Sequence, residues 1–323
     1  HAVAASGALR QVRAVFKHPY RGQLVILRPH YLPELRCTPD HRVYATDDVA
    51  SKPEQIEAGR LTNKHYLAIP RRYESASSPF IDVLAQLSGH QVTYRVPWRL
   101  SIDDRQFIAA ATLRGETSRQ IGDALGKSDS YIRHVRSKMA RGRAKETRTG
   151  GPIIEDGFLR FPNEHRPGIP LVIPLNTDMA KLLGYYCAEG TVARAKNRPN
   201  SYSLDFSFSH AEPELVEEVC QLLNRCLGVD AGRVNRETTL AVSVRKASAA
   251  LLFKSLAGGR STEKRVPQVL FDAPRPVLQA FLNAYVKGDG HRYANGKVSV
   301  TTVSKELAYG VAWLSLKVGY LPS

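Results

Sequence analysis

The sequence predicts an α+β chain in three parts: an all-β N-terminal module over 1–78, a small helical unit over 79–150, and a mixed unit over 151–323. Three observations carry this reading. Short alternating apolar runs fill the first part without a helical period, apolar residues fall at helical spacing from Ile102 to Met139, and a nonapeptide of the third part returns 100 residues later.

Composition sets the outer bounds. Of 323 residues, 46 are Lys or Arg and 30 are Asp or Glu, a net charge of +16, and 43% are hydrophobic. That is enough apolar material for packed cores, and it excludes a disordered tail, a collagen-like chain and a disulfide scaffold. The four cysteines, Cys37, Cys187, Cys220 and Cys226, are too few and irregular for a disulfide framework and form no Cys-x-x-Cys pair for zinc. Reduced thiols in an intracellular protein are expected. No run approaches the roughly 18 apolar residues of a membrane span, so no membrane partner is expected. The positive surplus points to a polyanion, nucleic acid before a membrane surface.

In chain order, Val12, Val15 and Phe16 lead to a turn at Tyr20-Arg21-Gly22, and Leu24–Leu27 and Leu35–Tyr44 read as strands. A loosely patterned Ser- and Pro-containing stretch follows at about 74–100. The helical period then places Phe107, Ala110 and Ala111, next Ile121, Ala124 and Leu125, and last Ile132, Val135 and Met139 on successive faces. Residues 118–128 read as a helix ending in a glycine turn, with a new helix through Val135. This is a helix-turn-helix signature: Ile121, Leu125, Ile132 and Val135 inside, Ser130, Arg133 and Arg136 outside. Between 131 and 150 seven basic residues, Lys138 among them, face one acid, Glu146. Gly126-Lys127-Ser128 is no phosphate loop, because position 121 is Ile where that motif needs Gly. A Gly- and Pro-rich linker is expected over 149–176. Beyond it, helices are expected at 178–189, 212–227, 247–256, 277–289 and 304–318, and strands at 202–208, 240–244 and 297–302.

The internal repeat aligns LLGYYCAEG, Leu182 to Gly190, with LNAYVKGDG, Leu282 to Gly290. Leucine, Tyr185/Tyr285, an acid (Glu189/Asp289) and Gly190/Gly290 coincide. Small residues fall at i, i+4 and i+8 in both copies: Ala180, Gly184, Ala188 and Ala280, Ala284, Gly288. Such a stripe lets two helix backbones approach closely, so the two helices are expected to be each other's partner. Each acid then faces the negative end of its helix dipole, which costs roughly 0.3–1 kcal/mol at a surface site. In a parallel pair the two acids also repel each other. Keeping both implies cations between them; hard oxygen ligands suit magnesium, and paired divalent ions are a known solution for phosphodiester hydrolysis.

These two nonapeptides resemble the paired motifs of the LAGLIDADG homing endonucleases. The resemblance covers about 176–323 and places Glu189 and Asp289 at the catalytic acid positions, with Gly190 and Gly290 beside them in the metal site. It implies αββαββα halves packed at the motif helices, curved sheets straddling double-stranded DNA, and Mg2+-dependent hydrolysis of both strands by a monomer. Asn283 and Lys287 depart from the usual second motif. Glu263-Lys264-Arg265-Val266-Pro267 is similar to the family's Lys-x-x-Pro-type segment, which assigns an assisting catalytic role to Lys264. The strand around 202–208 puts Ser203, Asp205 and Ser207 on one face and Leu204, Phe206 and Phe208 on the other. The polar set, with Arg194, Lys196 and Arg198 just before it, is expected to face DNA; the same division leaves Thr239, Ser243 and Arg245 outward. Arg133, Arg136 and Lys138 are the expected DNA contacts of the helical unit.

Cys37-Thr38-Pro39-Asp40-His41 resembles the Thr-x-x-His block of an intein (Hint) splicing domain. The resemblance implies that His41 activates a scissile amide and that Thr38 supports it. Neither a leading Cys or Ser nor a His-Asn dipeptide is present, so splicing by this stretch alone is not expected.

The combined expectation is an intein-type homing endonuclease: a partial Hint module, a helix-turn-helix insert, and a LAGLIDADG unit whose second half, from about 276, is incomplete. Host-protein exteins are the further partners. The chain starts with His1 in mid-pattern, and only 34 residues follow Asp289, enough for one hairpin and one helix. A piece of a longer protein is therefore expected, inactive in double-strand cleavage by itself, with apolar surface exposed near 304–323 around Trp313 and Leu316. A non-cleaving DNA-binding regulator on the same scaffold and a splicing element with a decayed nuclease are the alternatives.

Overall fold

The computed structural model describes residues 2–3, 9–30, 32–69, 79–97, 100–142, 145–162, 164–194 and 202–322. Helix and strand are mixed, and two separate hydrophobic cores form. The larger core draws on residues from Ile81 to Val318, and the smaller lies within the helical unit. Among the described residues no helix is long and apolar enough to cross a membrane.

The first part carries strands and no α-helix among its described residues. Val25–Leu27 pairs antiparallel with Leu35–Cys37, and Arg42–Thr46 is the centre of a sheet between Glu54–Glu57 and Tyr66–Leu67.

The helical unit is smaller than its expected boundaries. Val92–Pro97 pairs antiparallel with Lys145–Gly150, in register from Val92↔Gly150 to Pro97↔Lys145. This two-stranded ribbon carries the helices Ile102–Leu113, Ser118–Leu125 and Asp129–Ala140 at its tip. Each helix starts on a side-chain cap: Ser101 and Thr117 in capping boxes, and Ser128 accepting from the Tyr131 N–H. Gly126 makes the turn at φ 61°. Leu100, Ile108, Ala111, Ile121, Ile132 and Val135 form the private core.

The expected linker over 149–176 is instead structured. Ile153–Glu155, Phe158–Arg160 and Ile169–Pro170 form an antiparallel sheet, and Val172–Pro174 pairs with Phe80–Asp82. Leu159, Phe161, Ile169 and Ile173 enter the main core together with Ile81, Val83 and Leu87. Short strands joined by tight turns read as a linker because their glycines and prolines dominate the composition. The hairpin turn is Asp156-Gly157, both at positive φ (48° and 81°), the conformation that a two-residue type I′ connection needs.

The repeated unit is labelled from here: α1 (Thr177–Glu189), β1 (Gly190–Arg194), β2 (Tyr202–Ser209), α2 (Pro213–Leu227), β3 (Gly232–Asn235), β4 (Thr239–Val244), α3 (Ala247–Ala257), then α4 (Arg275–Asp289), β5 (Gly290–Arg292), β6 (Val298–Val300) and α5 (Lys305–Val318). The first copy is αββαββα with sheet order β1-β2-β4-β3, and the second is αββα with a two-stranded sheet. On the larger sheet Leu204, Phe206, Phe208, Val242 and Val244 are buried in the core. Thr191, Asp205 and Ser243 share a register row on the other face.

One expectation about the end of the chain is corrected. Leu316 is only 3% exposed and Trp313 is half-buried. The segment after α3 lies along α5: Val266 packs where a Cβ on Gly310 would come within 2.6 Å, and the Lys317 ammonium donates to the carbonyl of Phe271. Among the described residues from 303 onward, the exposed large apolar side chains are Val303, Tyr320 and Leu321.

Candidate functional site

The site grows from the pairing of α1 with α4. A Cβ on Gly184 would lie 2.4 Å from the Phe281 carbonyl oxygen and 2.9 Å from the Ala284 Cβ; one on Gly288 would lie 2.7 Å from the Ala188 Cβ. The backbones therefore touch, and the matched order of these contacts makes the helices parallel. Burial of Leu182, Leu183, Tyr185 and of Phe281, Leu282, Tyr285 holds the pair in the core. Because the helices run parallel, Glu189 and Asp289 end side by side.

Both helices pass straight into strand at a glycine. Gly190 pairs with Phe206 and Gly290 with Val300. A Cβ on Gly190 would strike Tyr186 at 2.2 Å, and one on Gly290 would strike the Val286 carbonyl at 2.5 Å. Only glycine fits either junction.

Charge is unevenly distributed around the two acids. Burial, then the negative charges of Asp289 and Glu212, push the Glu189 carboxyl up to about 7, with Lys264 acting in the opposite sense. Asp289, more open to solvent, is raised in the same direction by partial desolvation. Lys264 is 3% exposed; its Nζ donates to the Tyr186 carbonyl at 2.6 Å and sits 3.2 Å from the centre of the Tyr186 ring. Burial brings its ammonium down to about 8, against the opposing pull of Cys187 and Glu189. A cation on the last carbonyls of α1 also complements the helix dipole. Farther up the pair, Glu218 of α2 accepts from the Tyr185 hydroxyl at 2.7 Å and from Lys287 Nζ at 3.1 Å. Burial works against its ionisation, but these donors and Lys181 outweigh burial and hold it below the ordinary carboxylate range.

Among the described residues no cluster of three or more His, Cys, Asp and Glu side chains could hold a metal. The donors available are the two carboxylates and backbone oxygens at the glycine junctions. That set is hard and anionic. Burial and mutual repulsion leave it short of positive charge, so it fits a divalent cation such as magnesium.

The other expected site residues are dispersed. The Arg194 guanidinium lies over the Tyr202 ring at 5.7 Å, and Arg245 is exposed just after β4. Ser203 Oγ donates to Asp205 at 2.6 Å. Ser203 and Ser207 are half-buried, whereas Asp205, on the expected face, is only 8% exposed and is not presented to solvent. Lys196 and Arg198 lie outside the described residues. Arg133 is exposed and pairs with Asp129 at 2.8 Å. Arg136, expected outward, turns back to donate to the Glu116 carbonyl at 3.2 Å and to Ser118 Oγ at 3.1 Å, two partly buried oxygens that need a donor. Lys138 is half-buried. Thr38 and His41 lie at a tight turn, where the His41 N–H donates to the Thr38 carbonyl at 3.1 Å and the His41 side chain is exposed.

Sequence reasoning missed Tyr186, Glu212 and Glu218. Tyr186 had a signal, since the second copy has Val286 at the matching position; the two glutamates had none.

With this geometry in place, residues 276–323 match the LAGLIDADG-like domain family. The chain is 33% identical over 147 residues to a DNA polymerase of Thermococcus sp. (strain GE8), covering 46% of this chain and 8% of that protein. It is 27% identical over 190 residues to an A-type ATP synthase subunit of Pyrococcus abyssi, covering 54% of this chain and 18% of that protein. An uncharacterized protein of Methanocaldococcus jannaschii is 22% identical over 341 aligned residues, 98% of this chain and 35% of that protein. The chain thus spans only a small part of the curated relatives it matches. A solved structure of I-DmoI in complex with DNA and Mn aligns with 46% of this chain and 81% of its own at 13% identity, with a TM-score of 0.37.

Proposed function

We propose that this chain is an intein-encoded, site-specific homing endonuclease that hydrolyses phosphodiesters in both strands of duplex DNA with Mg2+, as a monomer inside the cell. The observation that carries the reading is the pair of carboxyl groups brought side by side by two parallel helices whose backbones touch. Glu189 and Asp289, with the backbone at Gly190 and Gly290, would hold the cations. Magnesium, when bound, supplies charge neutralisation at the phosphate and lowers the pKa of water. The protein's own groups prepare that site. Glu189 is kept near neutrality in its proton affinity, so cation binding displaces a proton from it. Lys264 is sealed beneath the site and acts through Glu189 and the end of α1, as a positioning residue. The outward face of β2 and β4, with Ser203, Ser207, Ser243 and Arg245, presents polar and basic groups to the DNA backbone, and Arg194 at the end of β1 is a further basic contact.

The intein context rests on two supports. The Thr38/His41 block precedes the nuclease unit. The chain also resembles small parts of proteins with unrelated names, a DNA polymerase and an ATP synthase component, which is the pattern of an inserted element. Exteins of a host protein are then its partners.

The test is incubation of the protein, expressed from its complete reading frame, with a plasmid carrying the uninterrupted host allele and MgCl2. Linear product is expected from the wild type. Glu189→Gln and Asp289→Asn should each give none while retaining specific DNA binding. Cutting that survives either change overturns the assignment of the acids.

A further inference from the structure

The helical unit has its own core and its own stalk, and these change what it can do for the proposed nuclease. The ribbon's base is anchored, with Val92 in the main core and Gly150 fitted so closely that a Cβ would lie 3.0 Å from Pro162. Leu100, three residues beyond Pro97 at its tip, belongs to the smaller core. Six paired residues at about 3.3 Å per residue make a stalk of about 20 Å, the rise of about six base pairs of B-DNA.

On the helix Asp129–Ala140 the two faces differ in kind. Ile132 and Val135 are fully buried, with Tyr131 and Met139 packed against them. Ser130, Arg133, His134 and Ser137 are all exposed or half-buried and fall at i, i+3, i+4 and i+7, one continuous stripe. Each of these side chains can hydrogen-bond a base edge in the major groove, and none is acidic. Arg136 leaves this set because its guanidinium is tied, partly buried, to Glu116 and Ser118, whereas Arg133 pairs with Asp129 of its own helix on the open face and stays 67% exposed. The preceding helix, Ser118–Leu125, meets it through a three-residue turn, Gly126-Lys127-Ser128, as in proteins whose second helix enters the groove.

From the polar stripe, the private core and the ribbon, we infer that Ser130, Arg133, His134 and Ser137 read a second block of DNA sequence, set apart from the segment held at the acid pair. The target is then bipartite. The stripe extends about 10 Å along its helix, which spans three to four base pairs. This inference rests on the proposed DNA binding but not on cleavage. Arg136 and Lys138 become structural or backbone-contacting residues, and specificity moves to side chains that the charge pattern alone does not single out.

The experiment uses residues 1–323 carrying Glu189→Gln and Asp289→Asn, so that binding is read without cutting. The probe is a pool of 40-base-pair duplexes of random sequence, enriched by repeated binding and sequenced. Two conserved blocks are expected. In the same protein with Ser130→Ala, Arg133→Ala, His134→Ala and Ser137→Ala, one block of three to four base pairs should disappear and the other should persist. Affinity for the wild-type site should fall about 10-fold or more, the share of one well-made bidentate contact such as that of Arg133. Circular dichroism of the variant should be unchanged, since none of the four side chains belongs to the unit's core. Arg136→Ala should lower the melting temperature of the helical unit and leave both blocks in place. One block only in the parent, or the same two blocks with the stripe removed, overturns the inference. Two blocks found in a protein whose wild type never cuts DNA would sustain it while removing the endonuclease reading.

Discussion

The ends of α1 and α4 are repeats in sequence and unequal in environment. Glu189 is half-buried, with Glu212 adding negative charge nearby and Lys264 beneath it on the Tyr186 ring. Asp289 is more exposed, and the position matching Tyr186 is Val286. The first copy has a four-stranded sheet around its acid and the second has two strands. A repeat therefore fixes which groups meet, while the amount of structure surrounding each copy fixes how strongly each acid holds a proton.

The largest effect that bears on this comparison is on cleavage. Both Glu189→Gln and Asp289→Asn should take double-strand cutting by the full-length protein to background, despite the unequal surroundings. If only the Glu189 change does so, the second copy has no part in the chemistry.

Gly184→Leu comes next. Its side chain must displace the Phe281 backbone, so the helices separate, and a loss of more than about 3 kcal/mol is expected in a urea or thermal melt. A melting temperature within a degree of the parent would show that α1 and α4 do not touch as described.

Tyr186→Val turns the first copy into the second. It removes the hydroxyl that donates to the Gly258 carbonyl at 2.5 Å and the ring packed 4.9 Å from Phe253. A cost of about 2–4 kcal/mol is expected. Lys264 also loses the ring under its ammonium, so the pH dependence of Mg2+-supported cleavage should shift, which simple core loss would not produce.

The smallest effect is the pH dependence of stability. The Glu189 carboxyl is raised from the ordinary range to about 7 in the folded state, so the folded protein binds the extra proton. Stability from this group is fully present below the unfolded value and declines as pH rises from about 4.5 to about 7. Glu189→Gln, which cannot ionise, should match the parent near pH 4.5 and exceed it by on the order of 1 kcal/mol at pH 8, after allowance for partial exposure. Asp289→Asn should show the same sign with a smaller amplitude. Equal curves for parent and Glu189→Gln across this range would remove the burial argument.

Much of the fold was legible along the chain. The helical period gave α1 through α5 to within a few residues, because amphipathic spacing is written locally. The small-residue stripes gave the α1–α4 contact, and period-two alternation gave the two faces of β2 and β4. The strands of 80–97 and 145–174 were not legible as core elements. They are short, their partners are far away in sequence, and their glycines and prolines mimic a linker; Asp156-Gly157 was the one local sign of a hairpin.

The sequence by itself determined which residues could act: two acids at matched positions, a lysine between the copies, and a basic helical unit between β segments. These follow from spacing and side-chain chemistry, which survive any arrangement of the rest. Only the tertiary structure decided how those residues act. Burial of Lys264 on Tyr186, the raised proton affinity of Glu189, the turning of Arg136 into its own unit, and the lifting of that unit onto a ribbon all depend on groups 18 to 100 residues apart in the chain. Desolvation and charge depend on distance in space, and no local pattern encodes that distance.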